Sequence, residues 1–234
     1  MVKIGVNGAL GRMGSRILAL ASESPREFKV AGAFDSKNNS ALTAERLKGF
    51  DVLIDFSGPE GTQVAVNEAM KGGIALVIGT TGLDAEAKKK IKTASTRIPI
   101  VLSSNMSIGV TLVSQIVRMA ASKLGADFKT KITEAHHIHK KDAPSGTALM
   151  LMDAVAEGKE WDSAKTKAEV EIKSIREGEI VGDHTVLFVG PSETIEITHR
   201  AQSRDAFARG ALVAALFVSK KKNGLYGMAD VLSG

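Results

Sequence analysis

The stretch VKIGVNGALGRMGSRILALASESPREFKVAGAFD, residues 2–35, decides the fold. Residues 2–6 form a short apolar strand, Gly8, Gly11 and Gly14 follow at three-residue spacing, and Ile17, Leu18 and Ala21 mark an apolar-periodic helix. A second strand, Phe28 to Phe34, ends at Asp35, which is 35 − 14 = 21 residues after Gly14. Strand, glycine turn, helix, strand and acid, in that order, are the parts of a dinucleotide-binding unit. The glycines let the backbone turn tightly and approach a pyrophosphate, which then rests on the helix N-terminus flanked by Arg12 and Met13. Asp35 stands at the offset of an acid that binds ribose hydroxyls. Its carboxylate repels the 2′-phosphate of NADPH, so NADH is the favoured cofactor, while Lys37 partly offsets that repulsion and keeps NADPH in use.

Outward from this unit, VLIDFS (52–57), ALVIGTTG (75–82) and PIVLSSN (99–105) recur as apolar strands separated by helical stretches, and residues 36–50 are polar without strand signals. Buried strand followed by helix, repeated, predicts a Rossmann-like, doubly wound parallel sheet whose ligands lie at the carboxyl ends of the strands. Those ends are Ser57-Gly58, Gly79-Thr80-Thr81 and Ser103-Ser104-Asn105.

A helix over 107–123, with Leu112, Val113, Ile116, Val117 and Ala120 at helical spacing, opens a second unit. Strands follow at 129–135, 169–174, 185–189 and 194–200, most of them alternating polar with apolar, so this is a central α+β domain with an open mixed sheet. The uncovered face of such a sheet meets water or another subunit, and we expect a homo-oligomer through it. Residues 157–168 read as a surface loop carrying the single tryptophan. Phe207, Gly210, Ala211, Ala214, Phe217 and Val218 stripe a last helix that returns to the first domain. The expected division is 1–106 with 206–234 as the dinucleotide-binding domain, and 107–205 as the substrate-binding and oligomerisation domain.

Composition narrows the function. With 234 residues and 44% hydrophobic content, the chain can bury a sizeable core. It has no signal-peptide pattern and no run approaching eighteen apolar residues, which predicts a cytoplasmic protein with no membrane partner. Zero cysteines remove disulfides and thiolate catalysis, including the thiol-dependent chemistry of semialdehyde dehydrogenases. The net charge of +5 hints at nucleic acid, but the lysine runs at 88–90 and 220–222 read as solvated helix faces. Aromatic residues, at 4%, are too few for stacking platforms, and no nucleic-acid signature occurs.

The chemistry concentrates in EAHHIHKKDAPSGTAL, residues 134–149, on the connection between a strand and a buried helix. Imidazole titrates near neutrality, so His136, His137 or His139 can donate or accept a proton at working pH, and Lys140 and Lys141 add cationic donors. Ser145 is a good N-cap, leaving the backbone N–H groups of Gly146, Thr147 and Ala148 to receive an anion. A carboxylated small molecule is the natural guest. The histidine spacing matches no helical zinc motif, and we expect no metal.

These segments resemble the dihydrodipicolinate reductase family of the bacterial and plant lysine and diaminopimelate pathway. The likeness runs through NGALGRMG (7–14), DFSGPEGT (55–62), VIGTTGL (77–83), SSNMSIGV (103–110), the 134–149 stretch, VGDHTVLF (181–188) and ETIEITHRAQSRDAFARGA (193–211), essentially the whole chain. The resemblance implies reduction of a cyclic imine dicarboxylate, 4-hydroxy-tetrahydrodipicolinate, with NADH or NADPH, in a homotetramer built through the central sheet. It implies His136 as proton donor or acceptor, Lys140 as catalytic proton donor, and His137, Ser145, Gly146 and Thr147 as substrate ligands. Gly8, Ala9, Leu10, Gly11, Arg12, Met13, Asp35, Gly79, Thr80, Thr81, Ser103, Ser104, Asn105 and Met106 would line the cofactor. The chain departs from the family in a trimmed segment after Asp35, and Lys141 beside Lys140 opens a shared role. The alternative of another class is a non-catalytic nicotinamide-sensing protein, which would need the first domain but not the histidines and lysines.

Overall fold

The computed structural model describes residues 1–38 and 41–234. Part of the polar stretch 36–50 therefore falls outside the described residues. In chain order the elements are β1 (Val2–Asn7), α1 (Arg12–Glu23), β2 (Phe28–Phe34), β3 (Val52–Asp55), α2 (Pro59–Gly72), β4 (Ala75–Ile78), α3 (Ala85–Ala94) and β5 (Pro99–Leu102). They continue as α4 (Ile108–Lys123), β6 (Lys129–His136), α5 (Gly146–Lys159), α6 (Ser163–Glu169), β7 (Val170–Arg176), β8 (Gly182–Val189) and β9 (Thr194–Ala201). The chain closes with α7 (Asp205–Val218), β10 (Gly224–Tyr226) and α8 (Met228–Ser233). It divides into two compact units, Met1–Ile108 with Arg204–Gly234, and Gly109–Ser203.

In the first unit six strands form one parallel sheet in the order β10-β5-β4-β3-β1-β2. The residues of β3 and β4 are buried without exception, because helices cover both faces. Ile17, Leu20, Ala211, Ala215 and Val231 from α1, α7 and α8 pack on one face. Ala65, Val66, Ala69 and Ile91 from α2 and α3 pack on the other. Each fully buried side chain of Leu or Ile size contributes roughly 1.5 to 3 kcal/mol, so this continuous apolar run holds the sheet. The strands stop at Asp55, Ile78 and Leu102, earlier than their apolar-to-polar runs predict, and the residues beyond form loops. Chain order reverses at β1, which pairs with β2 on one side and β3 on the other, and a crevice opens at the carboxyl ends of such a pair. Asp205 at the start of α7 clasps Arg16 of α1 through bonds of 2.8 and 2.7 Å. The short strand β10 and helix α8 carry too few residues for periodicity to reveal them.

In the second unit the sheet order is β7-β6-β8-β9, with β6 and β7 parallel and the other pairs antiparallel. Alternation in β8 puts Gly182, His184, Val186 and Phe188 on the buried side, where Val117 and Ala121 of α4 and Leu151 and Val155 of α5 cover it. Ile195 and Ile197 pair with Phe188 and Val186, but only Ile197 packs on that core, while Ile195 stays exposed. The open face carries Thr185 bonded to Thr198 at 2.9 Å and the Lys131–Glu171 and Arg200–Asp183 ion pairs, each at 3.5 Å.

Two expectations need correction. Residues 157–168 are not a loop: α5 runs through Lys159, and α6 begins at Ser163 because the Asp162 carboxylate accepts from the Lys165 N–H at 2.8 Å. Trp161 packs on the core between them, with Lys159 and Lys165 over its ring. A charge-rich composition concealed both helical segments. Lys220, Lys221 and Lys222 follow α7 instead of lying in it. Among the described residues no helix is long and apolar enough to cross a membrane.

Candidate active site

The glycine turn of the first unit is built by close approach. Gly8 adopts φ +81°, and a Cβ there would meet Phe56 O at 2.6 Å, while a Cβ at Gly14 would meet Gly8 O at 2.1 Å. The N–H groups of Gly8 and Ala9 both donate to Phe34 O, at 2.9 and 3.0 Å, and that of Gly11 donates to Gly8 O at 3.0 Å. Leu10 N–H donates to Asp35 Oδ2 at 3.0 Å. The turn is therefore satisfied internally, and the donors it leaves toward an anion are those at the start of α1, at Arg12 and Met13. Asp35 also accepts from Lys37 N–H at 3.0 Å, and these two backbone bonds hold its carboxyl below the usual range.

At the crevice a carboxylate that sequence reasoning missed gathers the polar groups. Asp55 is fully buried and accepts from Asn7 Nδ2 at 2.7 Å, Ser57 Oγ at 2.6 Å, Thr62 Oγ1 at 2.5 Å and Thr80 Oγ1 at 2.9 Å. Its signal was present as an acid ending the apolar run VLID. The adjoining cavity, about 560 Å³, is lined by Asn7, Gly8, Gly11, Asp35, Lys37 and Ser57. Thr81 and Ser104 are exposed, and Ser103 Oγ donates to Asn105 O at 2.7 Å. Met106 places its side chain in the core, 2% exposed, so it offers a ligand no side-chain surface. Glycine positions that no Cβ could occupy, free donors at a helix start and an acid beside them fit a nicotinamide dinucleotide.

The second unit holds a buried charged cluster. Glu134, fully buried in β6, accepts from Arg176 Nη1 at 3.0 Å and Nη2 at 2.9 Å, from Ser145 N–H at 3.3 Å, and from His136 Nδ1. Arg176 sits opposite His136 on β7, and Nη2 also donates to Asp142 O at 2.5 Å. His184, opposite Glu134 on β8, places Nε2 3.0 Å from Ser145 Oγ. That hydroxyl also accepts from Ala148 N–H at 3.1 Å, so it joins the helix cap to the histidine ring. Lys140 Nζ lies 2.9 Å from an Asp142 oxygen.

Electrostatics follows from burial and partners. Burial pushes the Glu134 carboxyl up, but Arg176, Ser174 and His136 together hold it at about 2. Burial lowers His136 against the opposing pull of Glu134, with Lys140 and Arg176 adding to the lowering. His184 falls to about 4, first through burial and then through His136. Near neutral pH the cluster holds one carboxylate, one guanidinium and neutral imidazoles. Glu134, His136 and His184 also lie at metal-ligand spacing, but each carboxylate oxygen already faces a guanidinium nitrogen.

Several expected residues are placed differently from the sequence reading. His136 is the last residue of β6, 8% exposed, and not on the connection. Ala148 N–H is taken by the Ser145 cap, so it leaves the set of anion donors, and Gly146 stands exposed at the helix start. His137 donates its N–H to Ile180 O at 2.7 Å, and its buried Nδ1 has no partner among the described residues. His139 and Lys141 are exposed. Glu134, Arg176 and His184 were missed, because their meeting depends on pairing across three strands.

Comparison with known proteins adds an independent line. Residues 2–106 match the family described as dihydrodipicolinate reductase, N-terminus, and residues 109–232 match dihydrodipicolinate reductase, C-terminus. A 4-hydroxy-tetrahydrodipicolinate reductase of Anaeromyxobacter dehalogenans strain 2CP-1 is 40% identical over 265 aligned positions, covering 99% of this chain and 98% of the relative. One of Methanocorpusculum labreanum is 41% identical over 251 positions, covering 99% of each. The solved dipicolinate-bound dihydrodipicolinate reductase of Paenisporosarcina sp. TG-14 shares the fold, with TM-score 0.77 at 22% identity, covering 98% of this chain and 99% of that one.

Proposed function

The chain belongs to the dihydrodipicolinate reductase family and is an enzyme of lysine and diaminopimelate biosynthesis, with 4-hydroxy-tetrahydrodipicolinate reductase activity; on that premise we propose how its residues divide the work. NAD(P)H supplies the hydride. Arg12 and Met13 at the start of α1 receive the pyrophosphate, and Asp35 receives the ribose hydroxyls, which favours NADH over NADPH. Asp55 holds Thr80 and Ser57 with their protons directed inward, so their outward lone pairs accept from the nicotinamide amide. Gly79, Thr81, Ser103, Ser104 and Asn105 complete that wall.

In the second unit Ser145 fixes the start of α5, and Gly146 and Thr147 hold one substrate carboxylate there. His137, half-buried just after β6, is a further substrate ligand. Reduction leaves the substrate more basic, and Lys140 delivers the proton that relieves it, while His136 exchanges a proton beside it. Such proton delivery is worth roughly 10² to 10⁴-fold in rate. The observation that carries this reading is the bond from the buried Glu134–Arg176 pair to His136, which holds a ring that burial keeps neutral at a strand end beside the Lys140 loop. The open face of the second sheet is the proposed surface for a homotetramer, which light scattering tests as a fourfold mass.

The decisive assay follows NADH and NADPH oxidation with substrate made fresh from pyruvate and aspartate semialdehyde by the preceding synthase. Oxidation that needs every component, faster with NADH, supports the assignments. Lys140→Ala and His136→Ala should each lower turnover at least about 10²-fold with NADH affinity retained. Loss of NADH affinity in either variant would count against these roles, and no oxidation by the wild type would favour the dinucleotide-sensing alternative.

A further inference from the structure

Four N–H donors converge on the Glu134 carboxylate, two on each oxygen. Oε1 accepts from Arg176 Nη2 and Ser145 N, and Oε2 from Arg176 Nη1 and His136 Nδ1. Arginine and a backbone amide can only donate. An ionised carboxylate can only accept, so the one arrangement that satisfies the group puts a proton on His136 Nδ1. Nε2 is then the unprotonated nitrogen of the neutral ring. It makes no hydrogen bond to a described residue, and it lies against Gly182, where a Cβ would stand 3.1 Å away.

We propose that Glu134, clamped by Arg176, is the positioning residue of His136, fixing its Nδ1–H tautomer so that protons enter and leave the ring only at Nε2. The proposal rests on the proton-exchange role given to His136 above. The Nδ1 proton stays in its bond to Glu134, the carboxylate remains ionised, and the imidazolium formed when Nε2 takes a proton is stabilised across that bond. Arg176 spans both oxygens and so fixes the carboxylate plane as well as its charge. Ser145 N–H on the same carboxylate ties the ring's orientation to the start of α5, where the substrate carboxylate is held. The titratable and charged groups around His136 are Glu134 on its own strand, Arg176 on β7, His184 on β8 and Lys140 on the following loop.

The test is long-range proton–nitrogen correlation NMR on protein labelled at its five histidines, with the His136 signals identified by loss in His136→Gln. In the wild type above pH 8, His136 should show a protonated Nδ1 and a bare Nε2. Glu134→Gln turns an NH2 group toward one pair of donors in either amide orientation, so it should abolish that single-tautomer signature. It should also lower turnover about 10²-fold, shift the acid limb of the pH–rate profile downward, and leave NADH affinity within twofold. Arg176→Lys, which keeps the charge but loses the two-point clamp, should give an intermediate tautomer mixture and serves if Glu134→Gln does not fold. A wild-type ring protonated at Nε2, or a tautomer and pH profile untouched by either variant, overturns the proposal. A correct tautomer with a fully active His136→Ala overturns instead the proton-exchange role on which the proposal rests.

Discussion

Ser145 Oγ and His184 Nε2 stand 3.0 Å apart, both buried, so one hydroxyl caps helix α5 and meets one ring nitrogen of a histidine that faces it from the sheet. Strand β8 and the N-terminal end of α5 are thereby joined through a single side chain.

Ser145→Ala removes the cap, worth about 1 kcal/mol, and strands the His184 nitrogen at a cost of roughly 1 to 3 kcal/mol. Thermal denaturation should show a melting temperature lower by several degrees. Because the helix start is the proposed carboxylate seat, KM for substrate should rise more than kcat falls. A variant with unchanged KM and unchanged melting would show that the contact carries neither role.

Stability should fall with acid in two stages. His184, at about 4 in the folded protein against an ordinary 6.5, and His136, lowered in the same direction, are held neutral, so the unfolded chain binds more protons below about 6.5. Glu134, at about 2 against 4.5, contributes stability above 4.5 that is lost as pH falls from 4.5 toward 2. The melting temperature should be level near pH 7 to 8, decline below 6.5, and go on declining below 4.5 as Glu134 takes up its proton. His184→Gln should flatten the stage between 6.5 and 4, and an unchanged slope there would assign it to other groups.

Asp55→Asn replaces an acceptor of four bonds with an amide that must point its NH2 group at two donors. Leaving buried donors facing an NH2 group typically costs roughly 1 to 3 kcal/mol each, read here as loss of melting temperature. Ser57 and Thr80 would reorient, so NADH affinity, followed by fluorescence titration, should weaken about fivefold to tenfold, on the order of 1 kcal/mol. Wild-type affinity in a folded variant would remove Asp55 from the cofactor wall.

What the sequence revealed and what it hid follow from the range of the interactions. The βαβ unit ending at Asp35 was legible because glycine spacing and strand periodicity are local. The histidine and lysine stretch was legible as chemistry, but not as geometry. His136 is buried by strands β7 and β8, and the partners that fix Glu134 and Ser145 come from Arg176 and His184, 42 and 39 positions away. Alternation in β6 places Glu134 on the covered face, yet only the arginine opposite explains why an ionised acid can sit there. Helix α6 was hidden for the opposite reason, since its short, charged sequence carries no apolar stripe and is set by the Asp162 cap.

The unit built from both ends of the chain has a consequence for synthesis. Arg16 meets Asp205 across 189 positions, and α7 supplies one layer of the core over a sheet whose first strand is residues 2–7. Residues 109–203, by contrast, are contiguous. On the ribosome the segment that carries His136 and Lys140 is complete while the nucleotide unit still waits for its last helix, so the middle of this chain matures first. Protease challenge of stalled nascent chains should find 109–203 protected before 1–108; the reverse order would mean that the parallel sheet holds without α7.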